Sequence, residues 1–315
     1  MEKLQVKRKK RLDYPLVSII SVNYNQSQVT CDMIESLNHI TWPNLEIIIV
    51  DNASTEDDPT IIKTKYPNVV FIQNPINYGF AAGNNFGIMA ARGKYVMFLN
   101  NDTEVDPGFI EPLINKFESD STIGAVSSKL RFYYQPDTIQ YAGYTEMSPY
   151  TIRNFSIGYK EKDKGQYDKD RETPFAHGAA MMVPMNVIKE LGMMSYIFFL
   201  YYEEADYCDR IKRAGYKIWY VHDSLVLHKE SVSTGKMSPL KIYYLNRNRM
   251  VYMRRNIFGK PFYLALGYQL IIAIPKNAFK FLAKGKIKLF YAFYQAIGWH
   301  IKNVVNPEIH ENPML

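Results

Sequence analysis

Cysteine is scarce in this sequence, and its scarcity limits both the redox chemistry and the metal sites that are possible. Only Cys31 and Cys208 occur among 315 residues. One disulfide between them is possible in principle, but two cysteines make neither a disulfide framework nor a cysteine-based zinc site, so we expect both side chains to be buried in packing. A reducing, cytosolic compartment fits this composition best. No apolar stretch follows the basic residues at the start of the chain, so we predict no secretory signal.

Acidic residues are missing from the C-terminal region. Residues 236–302 contain 13 Lys or Arg and no Asp or Glu, together with many Phe, Tyr and Leu. An apolar stretch inside this region, residues 261–275, has 15 residues, whereas a membrane-spanning helix needs about 20. We therefore predict helices that lie in the interface of an anionic membrane. The alternative interpretation is an amphipathic helical subdomain that packs on the rest of the protein.

The charge is distributed unevenly along the chain, whose formal net charge is +7. Residues 12–235 hold 19 basic and 28 acidic residues, whereas residues 1–11 hold six basic residues and one acid. An acidic core that binds an anionic nucleotide needs a cation between the two. The acidic core and the lack of a recognised nucleic-acid-binding motif argue against nucleic acid as a partner.

Apolar, β-branched runs alternate with helical segments through the first hundred residues. The pattern predicts strands at 16–24, 45–54, 69–74 and 94–102, with helices at 27–39, 56–65 and 80–92. Because these strands are apolar throughout, we predict an α/β, Rossmann-like fold with a mostly parallel sheet and helices on both faces. Such sheets bind ligands at the carboxyl ends of their strands, where the polar clusters 23–25, 51–54 and 100–102 follow.

The second part of the chain has a less regular pattern. It predicts helices at 107–118, 185–191 and about 203–214, and strands at 123–133 and 217–228. Residues 134–174 are expected to be irregular, with a solvated loop at 160–172. The predicted organisation is a basic arm (1–14), an α/β domain (15–235), a basic, aromatic-rich helical region (236–302) and a tail (303–315).

Three segments could carry chemistry, although each has an ordinary structural explanation. An Asp after a strand, as in NNDTEVD (100–106), can hold a divalent cation, but Asn-Asn-Asp also makes simple turns. The Asn- and Gly-rich segment 74–87 lets a backbone approach a ligand, but it is not the G-x-G-x-x-G fingerprint. A carboxylate beside aromatic rings, as in YYEEAD (201–206), can act as a base, but acidic residues also favour a helix start.

Taken together and in this order, the segments resemble family 2 glycosyltransferases of the GT-A fold. The segments that carry the resemblance are VSIISVNYN, IIIVDNAS, NYGFAAGNNFG, FLNND, HGAAMMV, YYEEADYCDRIKRAGY and VLH. The resemblance spans about residues 15–232. It is strongest with the rhamnosyltransferase-like members, which often carry an N-x-G-F-A-x-G-N-N segment.

This resemblance implies roles for individual residues. Ten of them would bind the donor: Val22, Asn23, Asn25, Asp51, Asn52, Asn77, Gly79, Asn84, Asn100 and Asn101. Asp102 matches the last position of the family's D-x-D metal motif, and His228 matches a second metal ligand of some members. Glu204 matches the catalytic base. His177, Gly178 and Glu203 would lie at or behind the acceptor site.

The sequence departs from the family pattern at two positions. Asn100 stands at the first D-x-D position, and an amide oxygen can bind a cation but brings no charge. A lower metal affinity is therefore expected. Glu204 stands where Asp is commoner, which lengthens the side chain by one methylene without changing the chemistry.

The resemblance implies an inverting glycosyltransferase that uses Mn²⁺ or Mg²⁺. It would transfer a sugar from a nucleotide-diphosphate donor, with dTDP-rhamnose expected, to a hydroxyl of a glycan or lipid-linked acceptor in cell-surface polysaccharide synthesis. With the basic tail, we expect a cytoplasmic location on the inner face of the plasma membrane. The alternatives are a sugar nucleotidyltransferase and a non-catalytic membrane-surface binding protein.

Overall fold

The computed structural model describes residues 14–229 and 237–314 of the chain. The basic arm predicted for 1–14 therefore lies, apart from Tyr14, outside the described residues. Ten strands form one sheet in the described part. Their bounds are β1 (Val17–Asn23), β2 (Leu45–Asp51), β3 (Val70–Gln73), β4 (Tyr95–Leu99), β5 (Thr103–Val105), β6 (Ile123–Phe132), β7 (Gln135–Tyr141), β8 (Arg171–Glu172), β9 (Ala180–Pro184) and β10 (Lys217–His228).

The sheet has the strand order β3-β2-β1-β4-β9-β6-β10-β5, with β7 paired to β6 and β8 to β10. The first four strands in this order are mutually parallel. β9 is antiparallel to both neighbours, so β6 and β10 regain the direction of β4. Six of the ten described strands thus run the same way and end at the same edge. The mostly parallel sheet predicted from the sequence is confirmed.

Helices cover both faces of the sheet, as predicted. Those before the C-terminal region are α1 (Ser27–Leu37), α2 (Thr60–Lys65), α3 (Gly79–Ala90), α4 (Ile110–Ser119), α5 (Met185–Leu191) and α6 (Glu203–Arg213). Successive side chains of β1 point to opposite faces. Ile19 packs in a core with residues of α1 and α4, whereas Ile20 packs with residues of α3, α5 and α6. Cys31 and Cys208 are free and buried, one in each core, which confirms their predicted packing role.

The segment 134–174 is more regular than expected. It contains β7, which pairs antiparallel with β6, and the short β8, which pairs with β10. The start of β7 is exposed and polar, and its buried half covers only residues 138–141. A strand with so short an apolar part gives no clear alternation, so the sequence did not reveal it.

The C-terminal region is helical, as predicted. Its helices are α7 (Pro239–Asn256), α8 (Lys260–Tyr268), α9 (Ile274–Ala283) and α10 (Ile287–Lys302). A π-helical turn, Gln269–Ala273, joins α8 to α9 just before Pro275, which cannot donate a backbone hydrogen bond. α7 packs on the core through Val251, Tyr252 and Met253. No described helix is both long enough and apolar enough to cross a lipid bilayer.

The start of α3 is pressed against the loop that precedes α6. Gly79 has φ +83°, and a Cβ built there would lie 2.3 Å from the carbonyl oxygen of Phe199. That oxygen accepts a hydrogen bond from the Phe80 amide at 2.7 Å. The position therefore needs glycine for two separate reasons, its backbone conformation and the close approach.

We predict that Gly79→Ala lowers the free energy of unfolding by roughly 2–4 kcal/mol, because alanine adds both backbone strain and a steric clash. Urea denaturation of the two proteins measures the difference. Gly108→Ala is the matched control, since Gly108 has no left-handed φ and a Cβ there would meet only Asp106 Oδ1, at 3.9 Å. The control should stay within about 0.5 kcal/mol. Equal stability of both variants would contradict the tight contact at Gly79.

Candidate active site

A hydrogen-bond network joins the carboxyl ends of β1, β2 and β4. Asn23 donates from Nδ2 to Asp51 Oδ1 at 2.8 Å, and its Oδ1 accepts from Thr30 Oγ1 at 2.7 Å. Asn101 donates from Nδ2 to the same Thr30 hydroxyl at 3.0 Å. Asn23 and Asp51 are fully buried. Three of the predicted donor-binding residues therefore lie together on one hydrogen-bonded polar edge. Thr30, on α1, was not predicted to border it.

Asn25 joins the loops after β1 and β2. It has φ +54°, its backbone amide donates to the Ser54 hydroxyl oxygen at 2.8 Å, and its Oδ1 accepts from the Thr55 amide at 2.7 Å. Short polar side chains tolerate this left-handed conformation better than most. The structure thus gives Asn25 a part in shaping the loops that end the sheet.

The Asn- and Gly-rich segment 74–87 lies against the same edge of the sheet, beside the end of β2. Asn52 donates to the carbonyl of Gly79 at 2.9 Å, and Asn77 Oδ1 accepts from the Gly79 amide at 2.8 Å. Asn84 donates to the Phe80 carbonyl at 2.9 Å. A Cβ on Gly83, within α3, would lie 3.0 Å from both Asn52 and Val22. These contacts hold the start of α3 against the end of β2. They bring together the predicted donor-binding residues of the two segments.

Asp102 and His228 meet although 126 positions separate them in the chain. β5 pairs antiparallel with the end of β10, and this pairing sets His228 opposite Thr103. His228 Nε2 lies 3.1 Å from Asp102 Oδ1, and its Nδ1 lies 2.8 Å from Gln140 Oε1. Both side chains are buried. Gln140 belongs to β7, the strand that the sequence did not reveal.

These residues fit a divalent cation that is shared with a ligand. Ligand atoms about 2.0–2.2 Å from one cation lie roughly 3 Å apart when they are neighbours in its coordination sphere. His228 Nε2 and Asp102 Oδ1 lie 3.1 Å apart, which is the distance of a direct hydrogen bond and is also close enough for both atoms to bind one cation. A buried oxygen of Asn100, Oδ1, has no hydrogen-bond partner within the described ranges. No group of three or more His, Cys, Asp or Glu there could hold a metal by itself, so phosphate oxygens would complete the coordination.

Glu203 and Glu204 begin α6. A Cβ built on Gly178 would lie 3.5 Å from Cγ of Glu204, so this side chain lies directly over Gly178. Burial raises the pKa of Glu204 above its ordinary value. Burial raises the pKa of Glu203 still more clearly, and the neighbouring Glu204 charge adds to the effect. Oε2 of each side chain is buried without a hydrogen-bond partner among the residues that the structure describes.

His177 lies between Gly178, which Glu204 covers, and the Asp102–His228 pair. Its ring lies parallel to that of Tyr144 with centroids 6.0 Å apart, and edge-on to that of His228, also at 6.0 Å. Burial, reinforced by His228, lowers the pKa of His177 to about 3, so this imidazole stays neutral. The residues Glu204, Gly178, His177, His228 and Asp102 thus form one continuous row. Tyr144, from the segment expected to be irregular, was missed by the sequence analysis.

The family model described as "Glycosyl transferase family 2" matches residues 18–192, more than half of the chain. The chain belongs to this family. Two similar curated proteins agree with it. The N-acetylglucosaminyl-diphospho-decaprenol L-rhamnosyltransferase of Mycobacterium tuberculosis is 23% identical over 242 residues, which are 70% of this chain and 78% of that protein. A low-salt glycan biosynthesis hexosyltransferase of Haloferax volcanii is 24% identical over 249 residues, 78% and 77% of the two chains.

Solved structures show the same fold. GalNAc-T7 with UDP, GalNAc and Mn²⁺ superposes with a TM-score of 0.65 at 17% identity, covering 92% of this chain and 58% of that chain. The mannosyltransferase PcManGT of Pyrobaculum calidifontis with GDP-Man and Mn²⁺ gives 0.57 at 16% identity, covering 97% and 84%. The GT-A fold expected for this glycosyltransferase, and its likeness to rhamnosyltransferases, are confirmed.

Proposed function

We propose that this glycosyltransferase is an inverting enzyme that transfers rhamnose from a nucleotide-diphosphate donor to a hydroxyl of a glycan or lipid-linked acceptor. One observation carries the proposal. A buried carboxyl group with a raised pKa, Glu204, lies in the same row of side chains as the Asp102–His228 pair. A base for the acceptor and a place for the donor's diphosphate are the two parts that such a transfer needs.

The donor and acceptor are proposed from the chemistry of the edge and from one relative. The polar edge around Asn23, Asp51 and Asn52 would bind the base and ribose, at the end of the strands where α/β sheets bind nucleotides. The relative from Mycobacterium tuberculosis is a rhamnosyltransferase named for a diphospho-decaprenol substrate. It supports dTDP-rhamnose as donor and a lipid-linked saccharide as acceptor in cell-surface polysaccharide synthesis.

In the proposed mechanism, Glu204 takes the proton of the acceptor hydroxyl. The oxygen forms its bond to the anomeric carbon as the bond from that carbon to the donor phosphate breaks on the opposite face. The configuration therefore inverts, the nucleoside diphosphate keeps the electron pair of the broken bond, and no bond to the enzyme forms. Asp102 and His228 would hold Mn²⁺ or Mg²⁺, which when bound supplies positive charge to the leaving diphosphate. His177, kept neutral by its lowered pKa, would add no charge beside His228.

The raised pKa of Glu204 sets the pH range of this reaction. A carboxyl group accepts a proton only when it is ionised, and burial makes ionisation harder. The turnover number should therefore fall as the pH is lowered, and the midpoint of that fall should lie above the pKa of an ordinary glutamate. A base with a raised pKa also accepts the proton more readily once it is ionised.

Glu204→Gln should lower kcat by about 10²- to 10⁴-fold, because glutamine keeps the shape but cannot accept the proton. Donor affinity, measured by calorimetry, should stay nearly the same. The adjacent Glu203→Gln is the matched control, with a much smaller loss of kcat. If Glu203→Gln is the inactive variant, the assignment is wrong by one residue. If both variants keep wild-type kcat, another group deprotonates the acceptor.

Calorimetry of dTDP binding tests both the cation and the donor. We expect dTDP to bind more tightly when Mn²⁺ is present, and Asp102→Asn to remove most of that gain because the carboxylate charge is lost. Chelation should abolish turnover and added Mn²⁺ should restore it. Full activity after exhaustive chelation would disprove the metal requirement. Tight binding of UDP-hexoses with no binding of dTDP would disprove the proposed donor.

The C-terminal helices supply a surface that fits an anionic membrane. Large apolar side chains are exposed along α8, the π turn, α9 and α10: Tyr263, Leu264, Leu270, Ile271, Ile272, Phe279, Leu282, Ile287, Tyr291, Tyr294 and Ile301. Lysines stand among them at 276, 280, 284 and 288, and no acid occurs from 237 to 302. Exposed apolar patches of this kind are rare on monomeric proteins. We propose that the protein attaches peripherally to the inner face of the plasma membrane, where it would have access to lipid-linked acceptors.

The intact protein should float with vesicles that contain anionic lipid, and high salt should weaken the binding by screening the lysines. Phe279→Ala should also weaken it, because the apolar contact with the bilayer is lost. Phe155→Ala is the matched control, since the two phenylalanines are 72% and 71% exposed and Phe155 lies outside the C-terminal helices. The membrane proposal fails if the protein never rises with anionic vesicles or if the two variants behave alike.

A further inference from the structure

The turn before Glu203 is strained. Tyr201 has φ +70° and Tyr202 has φ +75°, so two consecutive non-glycine residues are left-handed. Such residues are uncommon, and bulky side chains make the conformation costly. It persists only where surrounding contacts hold it, and it concentrates at functional sites.

Asn248, on α7, holds this turn. Its Nδ2 donates to the carbonyls of Leu200 at 2.7 Å and Tyr201 at 3.0 Å, and the residue is fully buried. Its Oδ1 accepts from Arg247 Nη1 at 2.8 Å. This bond fixes the orientation of the side-chain amide, so that its nitrogen points to the turn. The same Arg247 nitrogen donates to the carbonyl of Ile197 at 2.9 Å. One side-chain pair therefore binds the loop at three carbonyl groups.

The position of the turn sets the position of the base. The Tyr202 carbonyl accepts from the Asp206 amide at 2.9 Å, which makes Tyr202 the residue from which α6 begins. Glu204 is the second residue of that helix and lies over Gly178. A rotation at Tyr201 or Tyr202 would swing the first turn of α6, and with it the Glu204 carboxylate. Loss of the Asn248 contacts would permit such a rotation.

We propose that Asn248, oriented by Arg247, is a positioning residue that keeps the 200–202 turn left-handed and so fixes the Glu204 carboxylate toward the acceptor. This inference rests on the proposed role of Glu204 as the base. It gives Asn248 and Arg247 of α7 a part in positioning the base, although Asn248 lies beyond residues 18–192, which the family model matches.

Asn248→Asp tests the proposal in the full-length protein. The new oxygen would face two carbonyl oxygens, so the turn should relax. We expect kcat to fall at least tenfold while the KM and calorimetric Kd for the donor stay within twofold, because the donor edge belongs to β1 and β2. The acid limb of the kcat profile should move to lower pH, since a displaced Glu204 loses the burial that raises its pKa.

Asn303→Asp is the matched control. Its Nδ2 donates to the Trp299 carbonyl of α10 at 2.8 Å, and its Oδ1 accepts from Asn306 Nδ2 at 3.2 Å, so neither contact reaches the 200–202 turn. Its kcat should equal that of the wild type. Wild-type kcat for folded Asn248→Asp would overturn the proposal. So would parallel losses in kcat and donor affinity without a change in the pH profile, because these indicate general damage.

Two further variants keep the outcome decisive. If Asn248→Asp does not fold, Arg247→Lys replaces it, since lysine keeps the charge but cannot reproduce the planar guanidinium contacts. It should lower kcat severalfold at unchanged donor KM, and wild-type kcat would overturn the proposal. Glu204→Gln is measured beside them. An active Glu204→Gln disproves the proposed base and this inference with it, whereas an inactive one with unaffected Asn248 and Arg247 variants disproves the inference alone.

Discussion

The shared direction of six strands brings their carboxyl ends to one edge of the sheet, and every contact of the site depends on it. β1, β2 and β4 end there in Asn23, Asp51 and the residues after Leu99. β9 lies between β4 and β6 in the opposite direction, which allows β6 and β10 to run the same way as β4. His228, the last residue of β10, therefore arrives beside Asp102. The antiparallel pairing of β5 with β10, which sets His228 opposite Thr103, completes the approach.

Burial then decides the charge state of the site. It raises the pKa of the two carboxyl groups that begin α6 and lowers the pKa of His177, and in each case it favours the neutral form. The effect is strongest for Glu203, where the adjacent Glu204 adds repulsion. Two neighbouring buried carboxyl groups repel each other when both are ionised, so ionisation of the second one is unfavourable. Their positions differ, since it is the Glu204 side chain that lies over Gly178.

The C-terminal helices have two different surroundings. α7 is bound to the core, where Arg255 forms a bidentate ion pair with the buried Asp206 at 2.7 and 3.0 Å. α10 packs along α7, and His300 lies 2.8 Å from the Arg247 carbonyl. On the outer sides of α8, α9 and α10, by contrast, apolar residues and lysines are exposed to solvent. The packed subdomain, one of the two alternatives for this region, therefore describes α7 and the side of α10 that packs on it, and attachment of the exposed sides to a membrane stays a proposal.

The sequence by itself determined the order of the strands and helices in the first hundred residues and the identity of the acidic and polar candidates. It could do so because apolar periodicity and the residues that follow a strand are local features. Only the tertiary structure decided that Gln140 and Tyr144 border the site, that Thr30 bridges Asn23 and Asn101, and that Asn248 reaches the turn before Glu203. These contacts join residues far apart in the chain, and strand pairing and helix packing create them. No local pattern records which distant side chain will fill a given space, so the sequence predicted the site's chemistry but not the contacts that hold it in place.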